Sequence, residues 1–256
     1  MKAADWRQAL LHPLQRRIQV LLEPVARDQA AFRDEARLRL DALREDCARV
    51  ETAARDTMSS VLFSRWLQNP DVLATRAETG HWLNWLGLGG EGVEVGVYRG
   101  EFSEHLLHTW DCARLTSVDP WLEFPSTDYV DVCNLPQDKH EENYVVTANR
   151  LRRFGDRSRV LRGTSETAAA TFADSSLDFV YLDAQHHYEA VRDDLGLWHR
   201  KVRKGGVIGG HDYLDGRIAS GDYGVKRAVD EFASAHGYRV VVTREPNWPS
   251  WYARIA

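Results

Sequence analysis

Val93-Glu94-Val95-Gly96-Val97-Tyr98-Arg99-Gly100 reads as a short apolar strand that carries one acid, stops on a glycine and turns into a helix. Its β-branched residues favour a strand, and a glycine at the end admits a turn that a side chain would block. Six more strand-like runs follow, at 114–120, 158–163, 177–184, 205–213, 238–244 and 251–256. Helical patterns at 101–110, 141–154, 166–172, 188–202 and 224–237 separate them. This alternation predicts βαβ units around a mainly parallel sheet. Only residues 245–250 join the last two runs, too few for a crossover helix, so those runs are expected to pair antiparallel at the end of the sheet.

Outward from this core, residues 69–91 form a connecting segment with Trp82, Trp85 and the turn-rich GLGGEG of 87–92. Residues 1–68 are poor in glycine and rich in Arg, Glu, Asp, Ala and Leu. Leu14, Ile18, Leu21 and Val25 recur at spacings of four and three, as do Ala36, Leu40, Leu43, Cys47, Val50 and Ala54 after Phe32 and a slip in register. The pattern predicts an amphipathic helical arm, with Pro13 near a helix start and Pro24 kinking or dividing the first stripe. Such an arm can cover the core, pair copies of the chain or act as a lid; amphipathicity does not choose among these.

The 256 residues are 43% hydrophobic and 28% charged, enough for one sizeable domain plus an appendage. A net charge of −5 offers no field for a phosphate backbone, so nucleic acid is not expected as a partner. No run is long and apolar enough for a membrane span, and the N-terminal residues lack a signal core. Cys47, Cys112 and Cys133 follow neither disulfide nor zinc spacing, which fits a reducing, cytoplasmic setting.

The chemistry gathers at the ends of the strand-like runs. A nicotinamide-binding turn reads G-x-G-x-x-G to cradle a pyrophosphate; here the middle glycine is missing and Glu94 sits inside the strand. An acid suits an amino-acid ammonium better than a pyrophosphate, which points to S-adenosylmethionine. Asp119, roughly 20 residues on, is placed either to take both ribose hydroxyls or to cap a turn before Pro120. Ser165 either caps the next helix or meets the adenine edge, and the two are compatible. The fourth run ends in Asp183 followed by His186 and His187, the fifth in His211 and Asp212. Asp183 and Asp212 can share a divalent cation with His186 or His211 nearby, or serve only to hold cofactor and loop.

The segments 94–107, 117–121, 177–213 and 224–232, in that order, resemble a bacterial family of class I S-adenosylmethionine-dependent methyltransferases that includes sugar and natural-product O-methyltransferases. The resemblance spans residues 92–256 and leaves the arm outside. It implies a Rossmann-like, seven-stranded sheet with an antiparallel last strand. It also implies cofactor contacts at Glu94, Gly96, Asp119, Ser165 and Asp183, with Tyr98 and Gly100 in the same first turn. Macrolide-sugar methyltransferases similar to this chain carry Asp-x-x-His after the fourth strand, the Asp binding magnesium and the His deprotonating the substrate hydroxyl, and a pair of acids after the fifth. Asp183 and His186 match that spacing and Asp212 matches the second acid, whereas His211 replaces the first, a softer ligand than magnesium prefers.

The expected activity is therefore methylation of a hydroxyl on a small molecule, a sugar or natural product, by a cytoplasmic homo-oligomer. Asp183, His211 and Asp212 are the expected holders of Mg2+ or another divalent cation, and His186 the base. His187, Tyr188 and Tyr213 either line the acceptor pocket or pack, and the long aromatic loop at 121–140 is a lid candidate. The alternative is a non-catalytic binding or assembly protein that retains the fold.

Overall fold

In a computed structural model, the structure describes residues 5–70, 72–125, 131–218 and 221–256, with side chains described from residue 33 onward except at 47 and 51. The first element is a single helix, α1 (Asp5–Gln68). Pro24 therefore does not divide it, and Pro13 lies within it rather than at its start. Each proline removes one backbone donor, which weakens a helix without necessarily ending it.

The chain separates into two compact units, residues 1–58 and 59–256. The second begins inside α1, where Leu62 and Trp66 are buried. A 3-10 turn (Arg76–Glu78), α2 (Thr79–Trp85) and β1 (Glu91–Val95) follow. Next come α3 (Glu101–Thr109), β2 (Arg114–Asp119), α4 (Gln137–Leu151) and β3 (Ser158–Arg162). Then α5 (Ser165–Ala169), β4 (Leu177–Leu182), α6 (Tyr188–His199) and β5 (Val202–Gly210) complete the parallel portion. A small hairpin of β6 (Asp215–Ile218) and β7 (Gly221–Gly224) precedes α7 (Val225–His236), β8 (Val240–Val242) and β9 (Trp251–Arg254).

The seven-stranded sheet has the order β3-β2-β1-β4-β5-β9-β8. β9 runs antiparallel to both its neighbours, as the short 245–250 connection requires. Alternation along the strands gives each face its own core. Val93, Val180, Leu182 and Ile208 pack with Leu195, Trp198 and Val229 of α6 and α7. Phe179, Tyr181, Val207 and Tyr252 pack instead with Leu83, Leu106, Trp66 and Trp110. The hairpin β6–β7 has no counterpart in the sequence reading, because its strands are only four residues long and glycine-rich.

Strand register places the functional row. Val95 pairs with Val118 and with Leu182, and Leu182 pairs with Gly210. One residue further along, Asp119, Gly96, Asp183 and His211 stand side by side at the carboxyl ends of β2, β1, β4 and β5. The strand order also reverses here, with β1 flanked by β2 and β4, and open α/β sheets bind ligands at such a switch point.

Candidate active site

A cavity of about 1120 Å³ opens along this row, bordered by Glu94, Gly96, Asp119, Asp183 and Asp212. Gly96 adopts φ +86°, and a Cβ there would lie 2.0 Å from the Asp183 carbonyl oxygen. The glycine is thus required by the close fit of β1's turn against β4, a stricter demand than approach to a ligand. Gly100 also has positive φ, but it faces Thr147 at the head of α3 and lies outside the cavity lining.

Asp119 fastens the first turn. One carboxylate oxygen accepts from the backbone N–H groups of Val97 and Tyr98, both at 2.9 Å, and the other accepts from Trp121 at 2.7 Å. Asp119 thus organises the turn, and it also borders the cavity, with acceptor capacity beyond three N–H groups. Burial raises its pKa despite these bonds.

Glu94 is buried and is reached by the Ser103 hydroxyl, which in turn meets Ser117 at 2.6 Å. Burial pushes its pKa up to about 8, against the pull of Ser103. At the β3 end, the helix cap is Thr164, whose side chain accepts from the Thr167 N–H. Ser165, expected as the cap, instead donates to buried Asp194 and accepts from Trp198 Nε1 at 2.8 Å. It still borders the cavity. Burial raises Asp194 to about 6.

At the other end of the row, charged groups converge. His186 Nδ1 lies 3.0 Å from an oxygen of Asp131, a residue of the loop between β2 and α4. Its Nε2 lies 3.0 Å from Asp212 and 3.9 Å from Asp183. The 3.0 Å approach to Asp212 is a charge contact, not an aligned hydrogen bond: Nε2 is buried with no hydrogen-bond partner among the described residues. The ring stacks on Tyr223 at 4.9 Å. Burial would lower the His186 pKa, but the carboxylates of Asp131, Asp183 and Asp212 outweigh it and push it up to about 12. The same contacts hold Asp212 below the ordinary carboxylate range, although burial opposes them.

His211 Nδ1 lies 2.8 Å from Asp212 and 3.8 Å from Asp183. Ligand atoms of Asp183, His186 and Asp212 all lie within 4.8 Å of one another, so His186 rather than His211 shares one point with the two carboxylates. Hard carboxylate oxygens and a buried imidazole nitrogen without a hydrogen bond form a donor set that a divalent cation fits.

Sequence reasoning missed several groups here. Asp131, Tyr223 and Trp248 border the cavity, as does Arg76, whose Nη1 lies 3.3 Å from Asp183 Oδ2. No periodicity or motif marks them; only Asp131, within the loop flagged as a lid candidate, carried any signal. Residues 126–130 of that loop fall outside the described residues, while Leu122, Phe124 and Asn134 border the cavity. His187, Tyr188 and Tyr213 lie outside the lining. Tyr188 donates to Glu231 and Tyr213 to Asp230, so both serve packing.

Residues 93–213 match the model of a family described as a methyltransferase domain. Over these residues, somewhat less than half of the chain, the protein is similar to a methyltransferase domain. No curated protein matches the chain. Among solved structures, an O-methyltransferase from Bacillus cereus in complex with S-adenosylhomocysteine is 10% identical, with a TM-score of 0.50 over 78% of this chain and 90% of that one. An O-methyltransferase family protein from Burkholderia thailandensis is 12% identical, with a TM-score of 0.51 over 80% of this chain and 60% of that one. A protein from Corynebacterium glutamicum is 16% identical, with a TM-score of 0.50 over 78% and 90%. At these identities the likeness is one of fold. Among the described residues no helix is long and apolar enough to cross a membrane.

Proposed function

We propose that this protein methylates a hydroxyl oxygen of a small molecule, a sugar or natural product, with S-adenosylmethionine as donor. The observation that carries the reading is the buried, unbonded His186 Nε2, aimed from Asp131's grip toward Asp183 and Asp212 at the mouth of β4 and β5. The cofactor, when bound, supplies a methyl group already activated on a sulfonium, so the protein's task is alignment and proton management. Asp119 holds the ribose and Glu94 the ammonium group, with Gly96, Tyr98 and Ser165 bordering the cofactor. With S-adenosylmethionine bound, the hydroxyl oxygen would take the methyl group as that group's bond to sulfur breaks, and His186 Nε2, once a cation offsets the carboxylates that keep it protonated, would take the hydroxyl proton. Asp131 orients that imidazole through Nδ1, as a base needs.

Asp183 and Asp212 would hold a divalent cation such as magnesium, which when bound makes the acceptor hydroxyl more acidic. Its charge would offset the two carboxylates that keep His186 protonated. The clustering of Nε2 with both carboxylates favours a second reading, in which His186 is itself a ligand and His211 handles the proton. Calorimetric titration of Mn2+ into His186→Gln separates the two. Metal affinity within a few-fold of wild type marks a base, and loss of metal binding marks a ligand. Full turnover after exhaustive chelation removes the metal from either version.

The arm is assigned to self-association. Leu40, Leu43 and Val50 of its second stripe are 49%, 60% and 69% exposed, a spacing suited to a second copy's helix.

A further inference from the structure

The order of strand ends gives the cofactor a direction. With ribose at Asp119, adenine points toward β3 and the amino-acid chain toward β1 and β4, where Glu94 and Asp183 stand. Two acids suit the ammonium of that chain but repel its α-carboxylate, so the pocket needs a cation. Arg76, from the 3-10 turn ahead of α2, is placed to supply it. Its guanidinium lies over the Phe102 ring at 5.1 Å, and Nη1 approaches Asp183 Oδ2 at 3.3 Å. Its charge is felt at Glu94. These contacts take only part of a fork of five donors. The cavity's other guanidinium, Arg192, is exposed and pairs with Asp193 at 2.8 Å.

We infer that Arg76 is the anchor for the α-carboxylate of S-adenosylmethionine, completing with Glu94 and Asp183 a recognition site for a zwitterionic amino-acid head group. The inference rests on the proposed cofactor placement. The planar fork matches a carboxylate in a way that a lysine ammonium does not.

The test is calorimetry of the full chain with S-adenosylmethionine and with its decarboxylated analogue, which keeps the ammonium and the sulfonium. Wild type is expected to bind the complete cofactor about 10- to 100-fold tighter, the range for a charge-assisted pair. Arg76→Met should bind the two equally, with the analogue no weaker than on wild type, and Arg76→Lys should recover part of the preference. Three results would overturn the inference: equal binding of both ligands by wild type, a preference that survives in Arg76→Met, or a loss of both ligands in that variant. Binding of neither ligand by wild type would bring down the cofactor placement itself.

Discussion

The two ends of the active-site row are built differently. Around β1, β2 and β3, Asp119 and Thr164 are tied to backbone N–H groups, of Val97, Tyr98 and Trp121 and of Thr167, and the remaining polar pairs carry few like charges. Around β4 and β5, side chains meet side chains from distant parts of the chain, with Asp131 reaching His186 and Arg76 reaching Asp183. The first end is held largely by backbone donors. The second holds several like charges close together, a balance that a bound ligand or a single substitution can shift. Under the proposed function, cofactor binding would fall to the first kind of construction and chemistry to the second.

The sharpest way to break this contrast is His186→Ala. Turnover should fall roughly 10²- to 10⁴-fold while calorimetric affinity for S-adenosylhomocysteine stays within a few-fold. A parallel loss of cofactor affinity would mean that the two ends are not separable. Asp119→Asn probes the other end: one charged acceptor is lost, and cofactor affinity should weaken about 10- to 100-fold. Because Asp119 also fastens the turn, a drop in melting temperature should accompany it, whereas His186→Ala relieves no turn.

An effect on the wild type alone follows from Glu94. A neutral Glu94 pairs poorly with an ammonium, so cofactor affinity should rise by up to about tenfold per pH unit toward pH 8 and level off above it. The stability dependence has the opposite sign. The folded-state pKa of about 8 lies above the ordinary 4.5, so the stabilisation is complete below 4.5 and is lost as pH rises to about 8. Glu94→Gln should flatten both profiles, and a wild-type affinity flat between pH 6 and 8 would remove Glu94 from the ammonium. The smallest effect on chemistry is expected in the arm. Leu43→Glu with Val50→Glu should lower the mass seen by light scattering with turnover little changed, and an unaltered mass would detach the arm from assembly.

The same contrast explains what could be read from the sequence. The strands, the order of helices and the antiparallel end were legible because periodicity and connection length act over ten or twenty residues. The places of Gly96, Asp119, Asp183, His186 and Asp212 along the cavity were legible because they follow strand ends, and that of Glu94 because it is an acid inside an apolar strand. Asp131 and Arg76 were not: each acts across more than fifty residues of chain, and nothing local distinguishes them from solvated charges. Gly100 shows the converse, a residue noticed for its motif whose task is to start α3. The Ser165 cap failed by one position because Thr164, with equal capping chemistry, precedes it.

Asp183 turns one oxygen to Arg76 and the other toward His186 and His211. Under the proposed function, a carboxylate shared in this way would couple the cofactor beside Arg76 to a cation on the other oxygen. Whatever draws Arg76 away would then alter how strongly the other oxygen holds a cation. The linkage must be reciprocal, so a metal ion that tightens S-adenosylhomocysteine is itself tightened by the same factor. Titrating each ligand in the presence and absence of the other measures that factor from both directions. A factor of one would mean that Asp183 serves its two sides independently; any other value that disappears in Asp183→Asn would make the mutual tightening of the two ligands a property of this single side chain.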